Sequence, residues 1–220
     1  MNDDIKWNHD PKIVSVVVDN PSWIVPYAQE LTDKLKEIGH NSAFCSNHSE
    51  VRKGDVAFYL GCIKITPKRI LSDNTFNLVA HSSDLPKGRG FSPLSYQIME
   101  GKNEIPVCLF EAVEQLDYGD IFFREVMHFE GHELVDELRE KYARTQMRLC
   151  LKFMEDGPKH RTPQIGTPSY YERRREDSNI IDPNLTITSQ FDLLRIADND
   201  RYPAWFEYRG HKYKLSIKKK

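Results

Sequence analysis

Several common signatures are missing from this 220-residue sequence. No apolar run approaches the roughly 20 residues that cross a bilayer, and the polar start 1–6 has no signal-peptide core. The four cysteines form no CxxC pair, which leaves a zinc or redox motif unsupported. Lys and Arg total 31 against 33 Asp and Glu, so the formal charge of −2 does not attract a nucleic-acid backbone. We expect a cytoplasmic protein with reduced thiols that binds neither membrane nor nucleic acid.

Strand and helix patterns alternate along the first half of the chain. Residues 12–18 form a nearly continuous β-branched run, typical of a central strand buried on both faces. Apolar positions at helical spacing follow over 24–38, before Gly39. Further strand patterns occupy 40–45, 56–60, 76–80, 105–110 and 120–126. We therefore predict an α/β fold: a Rossmann-like, three-layer, mostly parallel sheet flanked by helices.

The last third of the sequence has a different character. A strong amphipathic pattern over 132–154 predicts a long helix, and the proline-rich stretch 157–184 reads as an extended, functional connection. A further helix is predicted over 185–197, followed by an aromatic β-hairpin that turns at Arg209 and Gly210. We predict a catalytic core over 1–156 and a small C-terminal extension over 157–220.

His81 is the first candidate for chemistry. It ends an apolar strand pattern and leads into a turn rich in proline and glycine. Ligands of parallel α/β sheets bind beyond the carboxyl ends of strands, and an imidazole can take and return a proton near neutral pH. Asp117, in an acidic loop with Gly119, could orient that imidazole and stabilise its charged form. A solvated acidic turn is the alternative for this loop.

These motifs together resemble the folate-dependent formyltransferase family, most closely the nucleotide-sugar N-formyltransferases. The resemblance is carried by His81-x-Ser83-x-Leu85-Pro86-x-x-Arg89-Gly90 and by Leu116-Asp117-x-Gly119-Asp120-Ile121. It implies transfer of a formyl group from 10-formyltetrahydrofolate, without a metal, to the amino group of a nucleotide-linked sugar. We expect a dTDP-linked amino-deoxy sugar of surface polysaccharide synthesis, such as that of lipopolysaccharide O-antigen, and a homodimer. Another small amine as acceptor, or a catalytically impaired ligand-binding relative, stays open.

The resemblance also implies roles for single residues. His81 would assist proton transfer and bind the developing oxyanion, and Asp117 would orient His81 and relay the amine proton. The asparagine that the family carries two residues before the histidine is replaced here by Val79. Asn77 is the substitute candidate, on the same strand face but about 13 Å away at ~3.3 Å per residue.

Binding residues follow from the same resemblance. The expected folate-binding residues are Tyr59, Leu60, Gly61, Ile63, Leu85, Arg89, Glu114 and Leu116. The expected acceptor-binding residues are Trp23, Lys87, Tyr170, Tyr171, Arg173, Arg174 and Trp205. Arginines could bind a pyrophosphate through charge-assisted hydrogen bonds, and aromatic rings could stack on a base. Ordinary packing is the alternative for the aliphatic and hairpin residues.

Two other chemistries have little support. His128 and His132 stand at helical i,i+4 spacing but have no obvious third metal ligand. A serine hydrolase built from Ser83 and His81 would lack the GxSxG nucleophile motif. We predict that neither pair forms an active centre.

Overall fold

The computed structural model describes residues 7, 8, 10–159 and 161–220, with only the backbone of Glu176; the polar start 1–6 lies outside the described residues. The strands are β1 (Ile13–Val17), β2 (Asn41–Cys45), β3 (Gly54–Tyr59), β4 (Asn74–His81), β5 (Arg89–Gly90), β6 (Glu104–Glu111), β7 (Ile121–His128), β8 (Tyr170–Tyr171), β9 (Ala204–Tyr208) and β10 (His211–Leu215). The α-helices are α1 (Val25–Glu37), α2 (Lys68–Leu71), α3 (Pro93–Met99), α4 (Val135–Asp156) and α5 (Phe191–Arg195).

A six-stranded sheet in the order β2-β1-β3-β4-β6-β7 forms the centre of the molecule. The strands β1 to β4 pair in parallel, whereas β6 and β7 run antiparallel to their neighbours. A short loop can join only antiparallel strands, which explains the direction of β7 after β6. The predicted mostly parallel α/β fold is confirmed, and the carboxyl ends of β1 to β4 meet at one edge.

Helix α4 covers the sheet with an aromatic cluster around Phe153, which is fully buried. Its ring stands edge-on to Phe76 at 5.4 Å, to Phe122 at 5.3 Å and to Phe58 at 6.3 Å between centroids. Such pairs add about 0.5–1.5 kcal/mol each beyond burial. The cluster packs α4 tightly against β3 and β4.

Helix α4 begins at Val135, three residues later than the pattern predicted. The Glu133 carboxylate accepts the backbone N–H groups of Glu130 at 2.7 Å and Gly131 at 3.0 Å, which closes a turn before the helix. His132 therefore lies in this turn and His128 ends β7. The two histidines do not share a helix face.

The helix predicted over 185–197 is mostly wrong. Only Phe191–Arg195 is α-helical, after a 3₁₀ turn over 188–190. The Thr186 hydroxyl accepts the N–H of Ser189, and the Ser189 hydroxyl donates to the Thr186 carbonyl. Such local side-chain bonds compete with helix formation, and the apolar spacing did not reveal them.

The C-terminal hairpin is confirmed. β9 and β10 are antiparallel and turn at Arg209 and Gly210, both with positive φ. The proline-rich stretch is extended and contributes β8, which pairs in parallel with β5. The boundary between core and extension at residue 156 stays a prediction. Within the described residues, no helix is long and apolar enough to cross a membrane.

Candidate active site

His81 is the last residue of β4, at the edge of the sheet where the parallel strands end. Its side chain is 8% exposed, and its ring packs edge-on against Phe110 with 6.3 Å between centroids. Ring atom Nε2 lies 2.8 Å from the Gly88 carbonyl oxygen. A carbonyl only accepts hydrogen bonds, so Nε2 carries a proton and the neutral ring keeps its lone pair on Nδ1.

Asp117 comes to His81 from the loop between β6 and β7. Its Oδ2 lies 3.8 Å from His81 Nε2 and accepts the backbone N–H of Gly90 at 2.8 Å. Asp117 has a φ of 57°, an uncommon value for a residue other than glycine. The structure thus brings the two predicted groups together. The Gly88 carbonyl orients the imidazole, while Asp117 supplies a nearby negative charge.

Gly119 lies in the same loop as Asp117, at a point where the backbone passes close to β6. A Cβ atom built on it would lie 1.8 Å from the Glu111 carbonyl oxygen. The glycine therefore permits the loop to pass against its own strand end, and it does not line the cavity described next. This close approach fixes the base of the loop that carries Asp117.

A cavity of about 790 Å³ opens beside His81 and Asp117. Loops that follow β1, β3, β4 and β6 line it together with α4 and the C-terminal extension. Nine predicted site residues line it: Trp23, Tyr59, Gly61, Ile63, His81, Leu116, Asp117, Arg173 and Arg174. The sequence therefore identified members of both expected binding sets.

One part of the lining is apolar and uncovered. Ile63, Val113 and Leu116 are 46%, 38% and 41% exposed although they line a cavity. Val79, at the position where the formyltransferase resemblance implies asparagine, also lines it. These side chains offer a flat or apolar ligand a surface that is otherwise in contact with water.

A second part of the lining carries arginines and aromatic rings. Arg139, Arg173, Arg174 and Arg201 line the cavity, as do Trp23, Phe91, Tyr142 and Tyr202. Arg139 lies 2.8 Å from the Asp198 carboxylate. Within the described residues, the other three arginines form no ion pair with a carboxylate.

Local contacts hold these groups in place. The Arg173 guanidinium lies 4.8 Å from the centre of the Phe91 ring. Burial lowers the pKa of Arg174, whose Nε atom is buried without a hydrogen-bond partner. Hydrogen bonds from the Arg201 backbone and from the Arg139 guanidinium outweigh burial and lower the pKa of Asp198. In this part of the lining, the positive charges of the arginines outnumber the carboxylates that pair with them.

Asn77 does not line the cavity, and both atoms of its amide are engaged in other contacts. Its Oδ1 accepts from the Tyr59 hydroxyl at 3.1 Å, and its Nδ2 donates to the Leu71 carbonyl at 2.8 Å and weakly to Asn74. The side chain is buried and committed to positioning β4 against its neighbours. The strand period correctly assigns Asn77 to the same face as His81, but Asn77 lies four residues before the strand end.

Four predicted folate-binding residues lie away from the cavity. Leu60 and Leu85 are fully buried core residues. Glu114 forms an exposed ion pair with Lys68 at 2.7 Å. Arg89 is buried, with its guanidinium 3.4 Å from the Tyr118 ring centre and its Nη2 2.6 Å from Gln164. These four side chains pack or pair outside the cavity lining, and their folate-binding role stays a prediction.

Tyr170 and Tyr171 are likewise absent from the cavity lining. The Tyr170 hydroxyl lies 2.9 Å from that of Tyr118. Tyr171 stacks on Tyr96 with 4.7 Å between ring centres, and its hydroxyl donates to Glu100. Their strand β8 pairs with β5 in the turn after His81, and the acceptor-binding role of both tyrosines stays a prediction.

The last two residues predicted to bind the acceptor also lie outside this cavity. Lys87 is exposed on the turn after His81. Trp205 lies on β9, where it borders a separate cavity of about 320 Å³. Its backbone carbonyl accepts the N–H of Ile181 at 2.8 Å. The hairpin therefore packs against the extension and does not reach the His81 site.

The sequence reasoning missed several lining residues. Arg139 and Tyr142 lie three positions apart on α4 and so share a face of that helix. An arginine directly after the apolar Leu138 was the sequence feature that could have indicated a functional face of this helix. Gln164 was also missed: its Nε2 donates to the carbonyls of Asp117 at 2.9 Å and Gly119 at 2.8 Å, which ties the Asp117 loop to Arg89.

Ser82 is the most informative of the missed residues. It follows His81 directly, lines the cavity and is fully buried. Its hydroxyl lies beside the Tyr142 side chain and forms no hydrogen bond of normal geometry in the described part of the chain. The next hydroxyl, that of Ser83, is also buried and unpaired but does not line the cavity, and it makes no hydrogen bond to His81.

Comparison with known proteins finds formyltransferases both by sequence and by structure. No family model matches the chain. The methionyl-tRNA formyltransferase of Sulfurihydrogenibium sp. (strain YO3AOP1) is 32% identical over 129 residues, which is 56% of this chain and 41% of that protein. The chain thus matches about two fifths of this relative's length.

Solved structures agree in fold. A methionyl-tRNA formyltransferase from Clostridium thermocellum superposes with a TM-score of 0.79 at 22% identity, over 93% of this chain and 91% of that one. A sugar N-formyltransferase from Shewanella sp. FDAARGOS_354 gives 0.70 at 16% identity, over 93% and 96%. HypX from Aquifex aeolicus in complex with tetrahydrofolic acid gives 0.71 at 16%, over 91% and 36%. The predicted resemblance to the folate-dependent formyltransferases is confirmed.

Proposed function

We propose that this protein is an N-formyltransferase that uses 10-formyltetrahydrofolate and formylates the amino group of a nucleotide-linked amino-deoxy sugar. The observation that carries the proposal is the His81–Asp117 pair, buried at the strand end with 3.8 Å between Nε2 and Oδ2 and bordering a cavity. The similarity to formyltransferases in sequence and fold supports the same reaction class. The folate donor supplies an activated formyl carbon.

In this proposal His81 accepts the proton. Attack of the amine nitrogen on the formyl carbon would form the new C–N bond and release one amine proton, while the bond from the formyl carbon to the folate nitrogen breaks. Atom Nδ1 could take that proton, because Nε2 donates to Gly88 and the lone pair of the neutral ring is then on Nδ1, and could pass it to the departing folate nitrogen. The resulting imidazolium is stabilised by the Asp117 carboxylate at 3.8 Å. Proton transfer by a positioned side chain contributes about 10²–10⁴-fold to a rate.

In this proposal Ser82 is the donor to the developing oxyanion, in place of the asparagine that the family resemblance implies at position 79. Formyl transfer develops negative charge on the formyl oxygen, and donors aimed at that charge lower the barrier. A buried hydroxyl without a partner costs about 1–3 kcal/mol, and an oxyanion that accepts from Ser82 removes that cost. Val79 has no donor to offer.

The apolar part of the lining suits the pterin ring of the folate. Ile63, Val113 and Leu116 present exposed apolar surface to the cavity, and Gly61 and Tyr59 border it. A flat aromatic ring would cover that surface and remove it from water, worth about 25 cal/mol per Å². The residues that line this part of the cavity provide the apolar walls and backbone groups that such a ligand requires.

The arginine-lined part suits the acceptor. Arg173, Arg174 and Arg201 lack carboxylate partners in the described chain, and guanidinium groups bind phosphates through paired hydrogen bonds. Trp23, Phe91 and Tyr202 are available as stacking surfaces for a base. These features favour a nucleoside diphosphate sugar, and we assign the dTDP-linked class within surface polysaccharide synthesis. The predicted cytoplasmic location and homodimer stay predictions.

Mass spectrometry tests this function directly. The full chain is incubated with 10-formyltetrahydrofolate and, in separate reactions, a dTDP-linked amino sugar, a UDP-linked amino sugar, a free amino sugar and methionyl-tRNA. We expect a formyl adduct on the dTDP-linked substrate that disappears in His81→Asn. His128→Asn, at an exposed histidine outside the cavity, is the matched control. Formylation of methionyl-tRNA alone would overturn the proposed acceptor, and no formylation of any amine would overturn the reaction.

A further inference from the structure

Three side chains with metal-ligating atoms meet at the carboxyl ends of the first three strands. Asp19 lies two residues after β1, His48 three residues after β2, and Cys62 three residues after β3. One ligand atom from each lies within 4.8 Å of the other two. None of the three has a role in the proposed formyl transfer.

One ring nitrogen of the histidine in this cluster lacks a hydrogen bond. His48 Nε2 is buried without a hydrogen bond in the described part of the chain. It lies 3.5 Å from Asp19 Oδ2, and the two side chains are 10% and 1% exposed. That separation exceeds the usual 2.7–3.2 Å of a hydrogen bond. It is close to the ~3.3 Å between two ligands of a tetrahedral ion with bonds of about 2.0 Å.

The remaining contacts orient the cluster. The Asp19 carboxylate accepts the backbone N–H groups of Ile63 and Lys64, each at 2.9 Å, and the side-chain amide of Asn20 at 3.0 Å. The His48 ring stands edge-on to Tyr59 with 5.8 Å between centroids. Cys62 Sγ lies 3.4 Å from the Val17 carbonyl. The bonds that Asp19 accepts are of the kind that hold ligands in position around metals, whereas the Cys62 contact is lost when the thiol gives up its proton.

We propose that Asp19, His48 and Cys62 form a Zn²⁺ site beside the cavity. A thiolate, an imidazole and a carboxylate match the ligand preferences of zinc, which binds four ligands in a tetrahedron. Cys62 also lines the cavity, so the fourth ligand comes from that side, as water or as a group of a bound molecule. Binding displaces the Cys62 thiol proton to solvent. The ion would tie together the loops after β1, β2 and β3.

Cobalt provides a readout that does not depend on enzyme activity. The full chain is stripped with a chelator, dialysed and titrated with Co²⁺, whose tetrahedral thiolate complexes show a sulfur-to-metal band in the near ultraviolet and strong visible bands. We expect one equivalent to produce both, and Zn²⁺ to bleach them. Cys62→Ser should remove the near-ultraviolet band, and His48→Gln should weaken binding more than tenfold.

Matched variants make the test decisive. Cys150→Ala removes a fully buried thiol on α4, and His128→Gln removes an exposed imidazole; both should bind Co²⁺ like the wild type. Circular dichroism of each variant separates lost binding from lost folding, and His48→Gln preserves the backbone bonds that Asp19 makes. Absence of a thiolate band in the wild type, or its persistence in folded Cys62→Ser, would overturn the site. Either result leaves the formyl-transfer proposal untouched.

Discussion

Two groups of charged residues border the same cavity and differ in how they are paired. His81 and Asp117 are buried 3.8 Å apart, and each is also held by backbone of the turn that ends at Gly90. Arg173 and Arg201 have no carboxylate partner in the described chain. The first group is preorganised for a proton transfer, whereas the second is complementary to an anion that must come from outside. Each group can therefore be disrupted without the other.

The largest effect is expected from His81→Asn. The variant removes the proton acceptor while a side chain of similar size and polarity stays at the strand end, so the rate constant kcat should fall about 1000-fold, within the range for general-base catalysis. Steady-state formyl transfer measures this loss. His128→Asn should retain wild-type kcat, and a similar loss in that control would mean that the assay reports something other than the site.

Ser82→Ala should lower kcat by about 100-fold, the usual cost of removing one oxyanion donor. The acceptor KM should change little, because the hydroxyl is needed only where charge develops. Ser83→Ala is the matched control, since its hydroxyl is also buried and unpaired but lies outside the cavity lining. Equal losses in the two variants would show that packing, and not donation, explains the effect.

Arg173→Gln tests the second group. Loss of one charge-assisted hydrogen bond, at about 1.5–3 kcal/mol, should raise the acceptor KM by about tenfold or more while kcat stays within about twofold. Arg175→Gln, at an exposed position outside the main cavity, should leave both constants unchanged. Because salt screens exposed charges, the gap between wild type and Arg173→Gln should narrow at high ionic strength. A fall in kcat with unchanged KM would contradict an acceptor-binding role.

Tyr171→Phe should have the smallest effect. It removes the hydroxyl that donates to Glu100 at 2.9 Å but keeps the ring stacked on Tyr96. We expect a loss of about 1 kcal/mol in stability, seen as a fall in Tm of about 2–4 °C for a chain of this size, with activity within about twofold. A large loss of activity without a change in Tm would place Tyr171 in the site after all.

The sequence revealed the groups that stand at strand ends and missed those that depend on tertiary contacts. His81 was predictable because an apolar strand pattern places its last residue at the ligand-binding edge of the sheet, and Asp117 because it lies in an acidic loop between two strand patterns. The positions of Tyr170 and Tyr171 outside the cavity lining were not predictable, because the sequence does not indicate which ring a tyrosine will face. Arg139 was overlooked because the amphipathic pattern of α4 was assigned to core packing alone.

Asn77 illustrates a limit of periodicity. An alternating strand pattern assigns a side chain to a face, but its distance from the strand end depends on the register with neighbouring strands. Asn77 lies opposite Ala57 on β3, and its amide bonds to Leu71 and Tyr59 instead of facing the cavity. The unpaired hydroxyl of Ser82 could be recognised only from burial and hydrogen bonding in the folded chain.

A double-mutant cycle tests the central claim most directly. Formyl transfer to the dTDP-linked amino sugar is measured for the wild type, His81→Asn, Asp117→Asn and the double variant. If Asp117 acts only through the charge on His81, the double variant should be about as slow as His81→Asn alone, as expected for residues that work as a unit. Losses that multiply, or an Asp117→Asn variant as fast as the wild type, would contradict the pair as the centre of the reaction.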